Sequence, residues 1–254
     1  MTIHKYSASG NDFVIFHAEA KKDRSELAQE LCHRQNGIGA DGLIVILPHS
    51  EYDFQWEFYN ADGSHADMCG NGSRAAAHYA YNNSSAPENM SFLTGAGIIN
   101  ARVSDNDKSS AMVLSELTPP DVIDTMIEFN GESWWLLNTG VPHLVCIKES
   151  VSDFDIKEAR ELRHKYNANV NITCIEGENL RVRTYERGVE DETLACGTGM
   201  AACFYRAFKE EKVKNSIEVY PTSGETLYLG VNERTITFKG RVKRTFVTEW
   251  IGAK

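Results

Sequence analysis

The sequence repeats one short motif at a spacing of half its length. Residues 69–81 and 196–208 each begin with Cys-Gly-x-Gly and continue as a run rich in alanine and aromatic residues, and the two cysteines lie 127 residues apart in a chain of 254. Glycine permits a tight turn and alanine favours helix, so Cys69 and Cys196 are each predicted at the N-terminus of a helix. There the helix dipole and the N–H groups favour a thiolate over a thiol.

Further matches between the halves indicate a duplicated fold. Similar turn sequences recur at offsets of 126 to 130 residues, pairing Gly10 with Gly140, Tyr59 with Tyr185 and Thr94 with Thr222. We predict an α/β (α+β) fold of two pseudo-symmetric homologous domains. Each should wrap curved mixed strands around its central small-residue helix, with the active site between the domains. A Thr-Pro-Pro break predicts one domain of residues 1–117, joined by a last strand 242–254, and a second of residues 118–241.

The bulk composition narrows the functional class. A net charge of −10 without a long basic run argues against binding nucleic acid or an acidic membrane surface. No apolar run approaches the ~20 residues of a membrane span, and the N-terminal residues lack the apolar centre of a signal peptide. Six scattered cysteines without a Cys-x-x-Cys pair argue against a zinc site or a disulfide framework. We expect a soluble cytoplasmic enzyme without a metal.

Local patterns predict the surrounding elements. Asp23 and Asp153 are predicted to cap amphipathic helices, the second of which runs to Tyr166. A glycine-rich loop at 37–42 precedes a buried strand at 43–47, so it is not a dinucleotide-binding fingerprint, which would precede a helix. The run at 172–175 is predicted to be a further strand.

Two matched cysteines favour a particular chemistry. A carbon held between them would have one thiol on each face, which suits removal of a proton from one side and its return on the other. This is racemisation or epimerisation, and it needs no cofactor if the helix N–H groups take up the developing charge. His143 and Glu186 lie at repeat-matched turns and are able to tune the protonation of a cysteine. For Asn11 and His143, a purely structural role in a turn remains an equal alternative.

Arg187 has two interpretations. It follows a predicted strand beside Glu186, where it is either an ion-pair partner or a planar fork for a second carboxylate of the substrate.

The whole chain resembles the diaminopimelate epimerase family. The residues that carry the resemblance are those at 9–13, 60–64, 69–74, 142–143, 168–170, 185–188 and 195–199. The resemblance implies a cofactor-independent homodimer that interconverts LL- and meso-diaminopimelate in lysine and peptidoglycan-precursor synthesis. It implies that Cys69 and Cys196 are the acid/base pair and that His143 and Glu186 modulate their pKa values. It further implies substrate contacts at Asn11, Asn60, Gly70, Asn71, Asn169, Glu186, Arg187, Gly197 and Thr198.

Three positions depart from the family's pattern. Val141 stands where an asparagine is usual, and Gly42 where many members carry glutamine. The segment 188–193 is one residue longer than its commonest form.

Alternatives from other classes remain open at this point. A proline-racemase-like enzyme of the same fold would also use paired cysteines, but on a substrate with one carboxylate, for which Arg187 is not needed. Phenazine-biosynthesis isomerases share the architecture without the cysteine pair. A non-catalytic thiol redox or ligand-binding protein would use the two cysteines as a regulatory pair. That last interpretation predicts no deuterium uptake at the α-carbon of any amino acid.

Overall fold

The computed structural model describes residues 1–232 and 235–252 of the chain. It separates into two compact units, one of Met1–Ser115 with Gly240–Lys254 and one of Glu116–Lys239. In the described part of the chain, no helix is both long and apolar enough to cross a membrane.

The first unit is a closed sheet around a helix. In chain order its elements are β1 (Thr2–Ala8), β2 (Asn11–His17), α1 (Ser25–Cys32), β3 (Gly42–Leu47), β4 (Phe54–Asn60), α2 (Gly70–Asn82), β5 (Asn89–Thr94), β6 (Gly97–Ser104) and β7 (Ser110–Glu116). Each strand pairs with the next, and β16 (Thr235–Glu249) pairs with both β7 and β1, which closes the sheet. The pairs β2–β3 and β4–β5 are parallel, so the sheet is mixed.

Helix α2 lies in the core of this unit. Eleven of its 13 residues are buried, and it packs on β1, β2, β3 and β6. The small side chains of Ala75, Ala76 and Ala77, all fully buried, let the strands approach the helix closely. The strands supply the large residues, among them Phe13, Trp56 and Phe92.

The second unit repeats this plan. Its elements are β8 (Asp121–Phe129), β9 (Glu132–Asn138), β10 (Pro142–Ile147), α3 (Ile156–Tyr166), β11 (Asn169–Glu176), β12 (Asn179–Glu186), β13 (Asp191–Thr193), α4 (Gly197–Lys209), β14 (Ser216–Tyr220) and β15 (Leu227–Asn232). The sheet order from β15 is β14, β12, β11, β10, β9 and β8, with β13 added beside β12. The pairs β10–β11 and β12–β14 are parallel. Helix α4 packs on β9, β10, β11 and β12.

From β1 and from β9 onwards, and with β13 as an addition in the second unit, the order of elements is the same: antiparallel pair, helix, parallel strand, antiparallel strand, buried helix, parallel strand. This confirms the predicted mixed α/β fold with a small-residue helix inside curved strands. The shared register makes β2 equivalent to β10, β3 to β11, β4 to β12 and α2 to α4.

Three local predictions were wrong. Helix α1 begins after Arg24, and Asp23 instead accepts hydrogen bonds from the backbone and hydroxyl of Ser25. Asp155, not Asp153, caps α3 and accepts from the N–H groups of the first turn. The helix starts two residues later than predicted because Phe154 and Ile156, on either side of Asp155, pack against the core. Strand β11 starts at Asn169, three residues before the predicted start at residue 172. The apolar pattern did not indicate these residues because the buried side chains of Asn169 and Asn171 are polar.

Candidate active site

Cys69 is the N-cap residue of α2, as predicted. Its backbone is extended, and its Sγ accepts a hydrogen bond from the N–H of Gly72 at 3.3 Å. A Cβ atom on Gly72 would lie 3.2 Å from Cys69 Cβ and 3.4 Å from Ile44 Cδ1. The second glycine of the motif thus lets the helix start lie close to both the sulfur and β3.

A buried arginine fixes two of the predicted substrate contacts in this unit. Asn71 Nδ2 donates to Asn11 Oδ1 at 2.8 Å. Arg74, fully buried, donates to Asn71 Oδ1 at 2.9 Å and to Ser9 Oγ at 2.7 Å. Because Asn71 Oδ1 is held by Arg74, the amide group can only donate to Asn11. The sequence carries no signal for this role of Arg74, since a basic residue one turn into a helix is usually solvated.

Two aspartates extend this network. Asn11 Nδ2 donates to Asp41 Oδ2 at 3.0 Å. Asp12 pairs with Lys5 at 2.7 Å and with Arg34 at 3.1 Å. Burial raises the pKa of Asp12, but hydrogen bonds from Lys5 and Arg34 and their positive charges outweigh it, so the pKa is lowered overall. The turn that carries Asn11 is therefore anchored by ionised groups.

Asn60 lies at the end of β4, exposed, where its Nδ2 donates to Ser64 Oγ at 3.0 Å. Its partner across the ladder is Gly42. A Cβ on Gly42 would lie 2.6 Å from the ring of Phe58 and 2.8 Å from the carbonyl of Tyr59. Any side chain at position 42 would therefore collide with Phe58 as it is placed here, so glycine is the residue that this packing accommodates.

Cys196 is the N-cap residue of α4, again as predicted. It is 8% exposed, and its Sγ lies 3.6 Å from Thr198 Oγ1. A Cβ on Gly197 would lie 2.9 Å from the ring of Phe238, so the first glycine allows the helix start to pack on β16. Both motif copies therefore place a cysteine at the start of a buried helix.

His143 is connected to this cysteine through Thr198. Its Nε2 is 2.9 Å from Thr198 Oγ1, and its Nδ1 is 3.1 Å from Asn171 Nδ2. Burial and the positive charge of Arg187 lower the pKa of His143 to about 3. His143 is therefore neutral near pH 7 and acts on its neighbours through hydrogen bonds rather than through charge.

The strand ends bring the other predicted residues to the same place. His143 pairs with Asn169 across β10 and β11. The β11–β12 register, in which Val170 pairs with Tyr185, sets Asn169 opposite Glu186. The N–H of Arg187 donates to Asn169 Oδ1 at 2.8 Å.

Arg187 is held by the backbone as well. Its guanidinium donates to the carbonyl of Asn167 at 2.9 Å, and Asn167 is the left-handed residue that ends α3. Two of the longer segment's residues keep the following chain in place: Glu190, at φ +60°, pairs with Arg163 at 2.7 Å, and Glu192 pairs with Arg183 at 2.6 Å. Val141, the remaining departure from the family's pattern, is 36% exposed.

The two cysteine environments are not equivalent. In the first unit the positions that match His143 and Asn171 are Phe13 and Ile44, both apolar and buried. Cys69 thus has apolar neighbours where Cys196 has a polar chain. Among residues 1–232 and 235–252, no group of three or more His, Cys, Asp or Glu is arranged to hold a metal ion.

Solved structures share this fold. A probable proline racemase from Agrobacterium radiobacter K84 aligns with a TM-score of 0.77 at 13% identity, over 98% of this chain and 92% of that chain. A hydroxyproline epimerase from Agrobacterium vitis gives 0.72 at 16%, over 98% and 91%. A phenazine biosynthesis protein of the PhzF family from Bacillus anthracis gives 0.73 at 14%, over 99% of each chain. The fold is therefore one that this chain shares with a probable proline racemase, a hydroxyproline epimerase and a PhzF-family protein.

Sequence comparison narrows this class to one family. The diaminopimelate epimerase family model matches residues 3–122 and 135–244. Diaminopimelate epimerases from a Nitratiruptor species and from Campylobacter lari are 61% and 54% identical, with at least 98% of both chains covered. The enzyme of that name from Helicobacter pylori is 43% identical over 96% of this chain and 94% of its own. The chain belongs to the diaminopimelate epimerase family, which confirms the resemblance.

Proposed function

We propose that this protein is an isomerase that interconverts LL-2,6-diaminopimelate and meso-diaminopimelate, with Cys69 and Cys196 as the two acid/base residues. The observation that carries the proposal is that each motif copy puts a cysteine at the N-cap of a buried helix, in a chain of this family. Helix N-termini stabilise a thiolate, which is the form that removes a proton.

The chemistry balances without a cofactor. One thiolate takes the α-proton, so an S–H bond forms and the electron pair of the broken C–H bond spreads onto the substrate carboxylate. The thiol on the opposite face gives its proton to the same carbon, and the configuration inverts. The two sulfurs end the reaction with their protonation states exchanged. Backbone N–H groups at Gly70 and Gly197 are suited to binding the carboxylate while its charge grows.

The remaining residues are assigned to binding. We assign the substrate's polar ends to the two networks described above, with contacts from Asn11, Asn60, Gly70, Asn71, Asn169, Glu186, Arg187, Gly197 and Thr198. Glu186, like His143, is assigned to modulating the cysteine pKa values. Arg187 is suited to the carboxylate of the non-reacting end because a guanidinium matches a carboxylate in bidentate fashion.

The wider context is also part of the proposal. The enzyme would act in lysine and peptidoglycan-precursor synthesis, in the cytoplasm, as a homodimer. The oligomeric state is checked by sedimentation equilibrium of the purified full chain.

One experiment tests the activity directly. The protein is incubated with LL-diaminopimelate in D₂O, and α-deuteration and meso product are followed together. The expected result is meso product that carries deuterium at the inverted carbon. Parallel incubations with L-proline and trans-4-hydroxy-L-proline should show no exchange. Exchange with these and none with diaminopimelate would favour the proline-racemase-like alternative, and no exchange with any of them would favour a non-catalytic thiol protein.

A further inference from the structure

A chain of three side chains leads from the interior of the second unit to Cys196. Asn171, fully buried, donates through Nδ2 to the carbonyl of Leu144 at 2.8 Å and faces His143 Nδ1 at 3.1 Å. Its Oδ1 accepts from Thr184 Oγ1 at 2.8 Å. The carbonyl of Leu144 can only accept, so the Nδ2 side of the amide is fixed and cannot be exchanged with the Oδ1 side.

The fixed amide selects one tautomer of His143. Because Asn171 Nδ2 is a donor, His143 Nδ1 must be the acceptor, and the ring proton is on Nε2. Nε2–H then donates to Thr198 Oγ1 at 2.9 Å. Asn169 Nδ2 lies 3.5 Å from the same Nε2, at the limit of a hydrogen bond, so the contact with Thr198 is the shorter of the two. Because Thr198 Oγ1 accepts the hydrogen bond from Nε2–H through a lone pair, its own hydroxyl proton can be donated to the sulfur of Cys196, 3.6 Å away.

The opposite tautomer would have the opposite effect. With the proton on Nδ1, Nε2 becomes an acceptor and takes the hydroxyl proton of Thr198. The thiolate of Cys196 would then lose this donor, and its thiol form would be favoured. The tautomer of His143 therefore decides the direction of the last hydrogen bond.

The helix start is shaped around the same amide. A Cβ on Gly199 would overlap Asn171 Oδ1 and lie 3.2 Å from Thr184 Oγ1. In the first unit the equivalent glycine, Gly72, lies against the methyl group of Ile44. The second glycine of the motif thus makes room for a polar side chain at Cys196 and an apolar one at Cys69.

We propose that Asn171 is a positioning residue that locks His143 in its Nε2–H tautomer, so that Thr198 donates to the thiolate of Cys196. This inference rests on the proposed function only for its significance, because its test measures the thiol itself. Cys69 has no counterpart of this chain, since Phe13 and Ile44 occupy the equivalent positions. The hydrogen-bonded chain of Asn171, His143 and Thr198 therefore gives Cys196 a partner different from that of Cys69.

Other titratable groups act on the same atoms. Arg187, at the end of β12, lowers the pKa of His143. Cys203, farther along α4, interacts electrostatically with Cys196. Glu186 stands beside Asn169 in the strand register. The test must therefore separate a hydrogen-bond effect from an effect of charge.

The experiment uses Asn171→Asp in the full chain, with two readouts. The carboxylate accepts from Nδ1–H, so ¹⁵N NMR should show His143 changing from the Nε2–H to the Nδ1–H form or to the doubly protonated ring. The pH dependence of Cys196 alkylation by iodoacetamide, read by peptide mass spectrometry, should show a pKa higher by about one unit. This corresponds to an alkylation rate about tenfold lower at a pH below both pKa values.

A double-mutant comparison separates the loss of the Thr198 hydrogen bond from the effect of the negative charge that Asn171→Asp adds. Thr198→Val alone, which keeps the side-chain volume, should raise the Cys196 pKa by a similar amount. In the Thr198→Val background, Asn171→Asp should add little further shift, because the last donor is already gone. A full additional shift in that background, or an unchanged pKa in Thr198→Val alone, would overturn the proposal. If Asn171→Asp fails to fold, Thr198→Val alone still tests the proposal, because an unchanged Cys196 pKa in that variant would overturn it.

Thr173→Val is the matched control. Thr173 lies two residues along β11, is also fully buried, and donates to the carbonyl of Arg181 instead of to the His143 chain. It should cost stability without changing the His143 tautomer or the Cys196 pKa. If it shifts both as Asn171→Asp does, the effect is general loosening of the strand, and Asn171 has no specific role. None of these readouts depends on which amino acid the enzyme turns over.

Discussion

Cys69 and Cys196 have the same position in the backbone but different surroundings. Each is the N-cap residue of a helix that is buried inside its sheet, so each cysteine lies next to the first turn of that helix. Gly72 N–H donates to Cys69, whereas Thr198 stands beside Cys196. A two-base reaction needs one thiolate and one thiol at the same time, and unlike surroundings allow two like residues to rest in different protonation states.

Replacing either cysteine should therefore remove the reaction. Cys69→Ala and Cys196→Ala are each expected to lower epimerisation by about 10²–10⁴-fold or more, the usual contribution of one acid/base group, because each serves one face of the carbon. The measurement is meso product formed from LL-diaminopimelate. Cys32→Ala and Cys146→Ala are the controls, since both are buried free thiols in the same units and should retain activity. Near-normal turnover by either active-site variant would contradict the two-base mechanism.

The neutral state of His143 has a consequence for stability. In the unfolded chain a histidine binds a proton below a pH of about 6.5. The folded pKa is about 3, because burial, followed by the charge of Arg187, disfavours the imidazolium. The unfolded state therefore binds more protons between these values, and the free energy of unfolding falls as the pH drops from about 6.5 towards 3.

Urea unfolding at pH 7.5 and pH 5 measures this effect. The contribution of His143 to the loss should be about 2 kcal/mol over this interval. Burial also lowers the pKa values of His4 and His78, so the comparison must be made against His143→Gln. The variant should lose about 2 kcal/mol less between the two pH values than the unsubstituted chain. An equal loss would mean that His143 is protonated in the folded state.

Strand register decides what the elements bring together. His143, Asn169 and Glu186 come from three segments and meet in one row because β10 is parallel to β11 and β11 is antiparallel to β12. Their positions in the sequence were predictable from the repeat and the family resemblance. Asn171 was not singled out, because its role depends on an amide orientation that no sequence pattern encodes.

Periodicity explains which elements were predictable. The cysteine-capped helices follow from the glycine and alanine composition of the motif, and the buried strand at 43–47 from its unbroken apolar run. Strand β8 gives no such signal, since six of its nine residues in succession are exposed and it has irregular pairing with β9. The start of β11 also lacks an apolar pattern, because the buried side chains of Asn169 and Asn171 are polar.

The start of α3 provides a matched pair of aspartates. Asp155 accepts from the N–H groups of Lys157 and Glu158, whereas Asp153 accepts from the hydroxyl of Ser152 and, among the described residues, caps no helix. Asp155→Ala should lower the free energy of unfolding by about 1 kcal/mol, and Asp153→Ala should change it by less than about 0.5 kcal/mol. Urea denaturation of both variants makes the comparison. Equal effects would show that the capping bond contributes little here.

At the scale of the whole molecule, the chain passes from the first unit to the second once and returns through β16. Residues of β16 from Val242 to Glu249 pair with β1, and Val242 is fully buried in the core of the first unit. The first unit is thus assembled from two segments that are distant in sequence. Met1 and Trp250 exchange backbone hydrogen bonds, at 2.9 and 2.8 Å, so the two segments end side by side.

This arrangement predicts that the first unit folds only when both segments are present. Residues 240–250, a two-residue Asn-Gly turn and residues 1–115 should form a folded fragment, because the turn joins antiparallel strand ends that are already adjacent. Residues 1–115 alone leave the partner edge of β1 unpaired and part of the core exposed, so they should aggregate or remain unfolded. Circular dichroism and hydrogen exchange of the α2 amides distinguish the two outcomes. The control is the same two-segment fragment with Val242→Asp. It keeps the returning strand but puts a charge into the core, so the α2 amides should lose their protection from hydrogen exchange. Equal folding with and without residues 240–250 would show that the returning strand is not part of this unit's stable core.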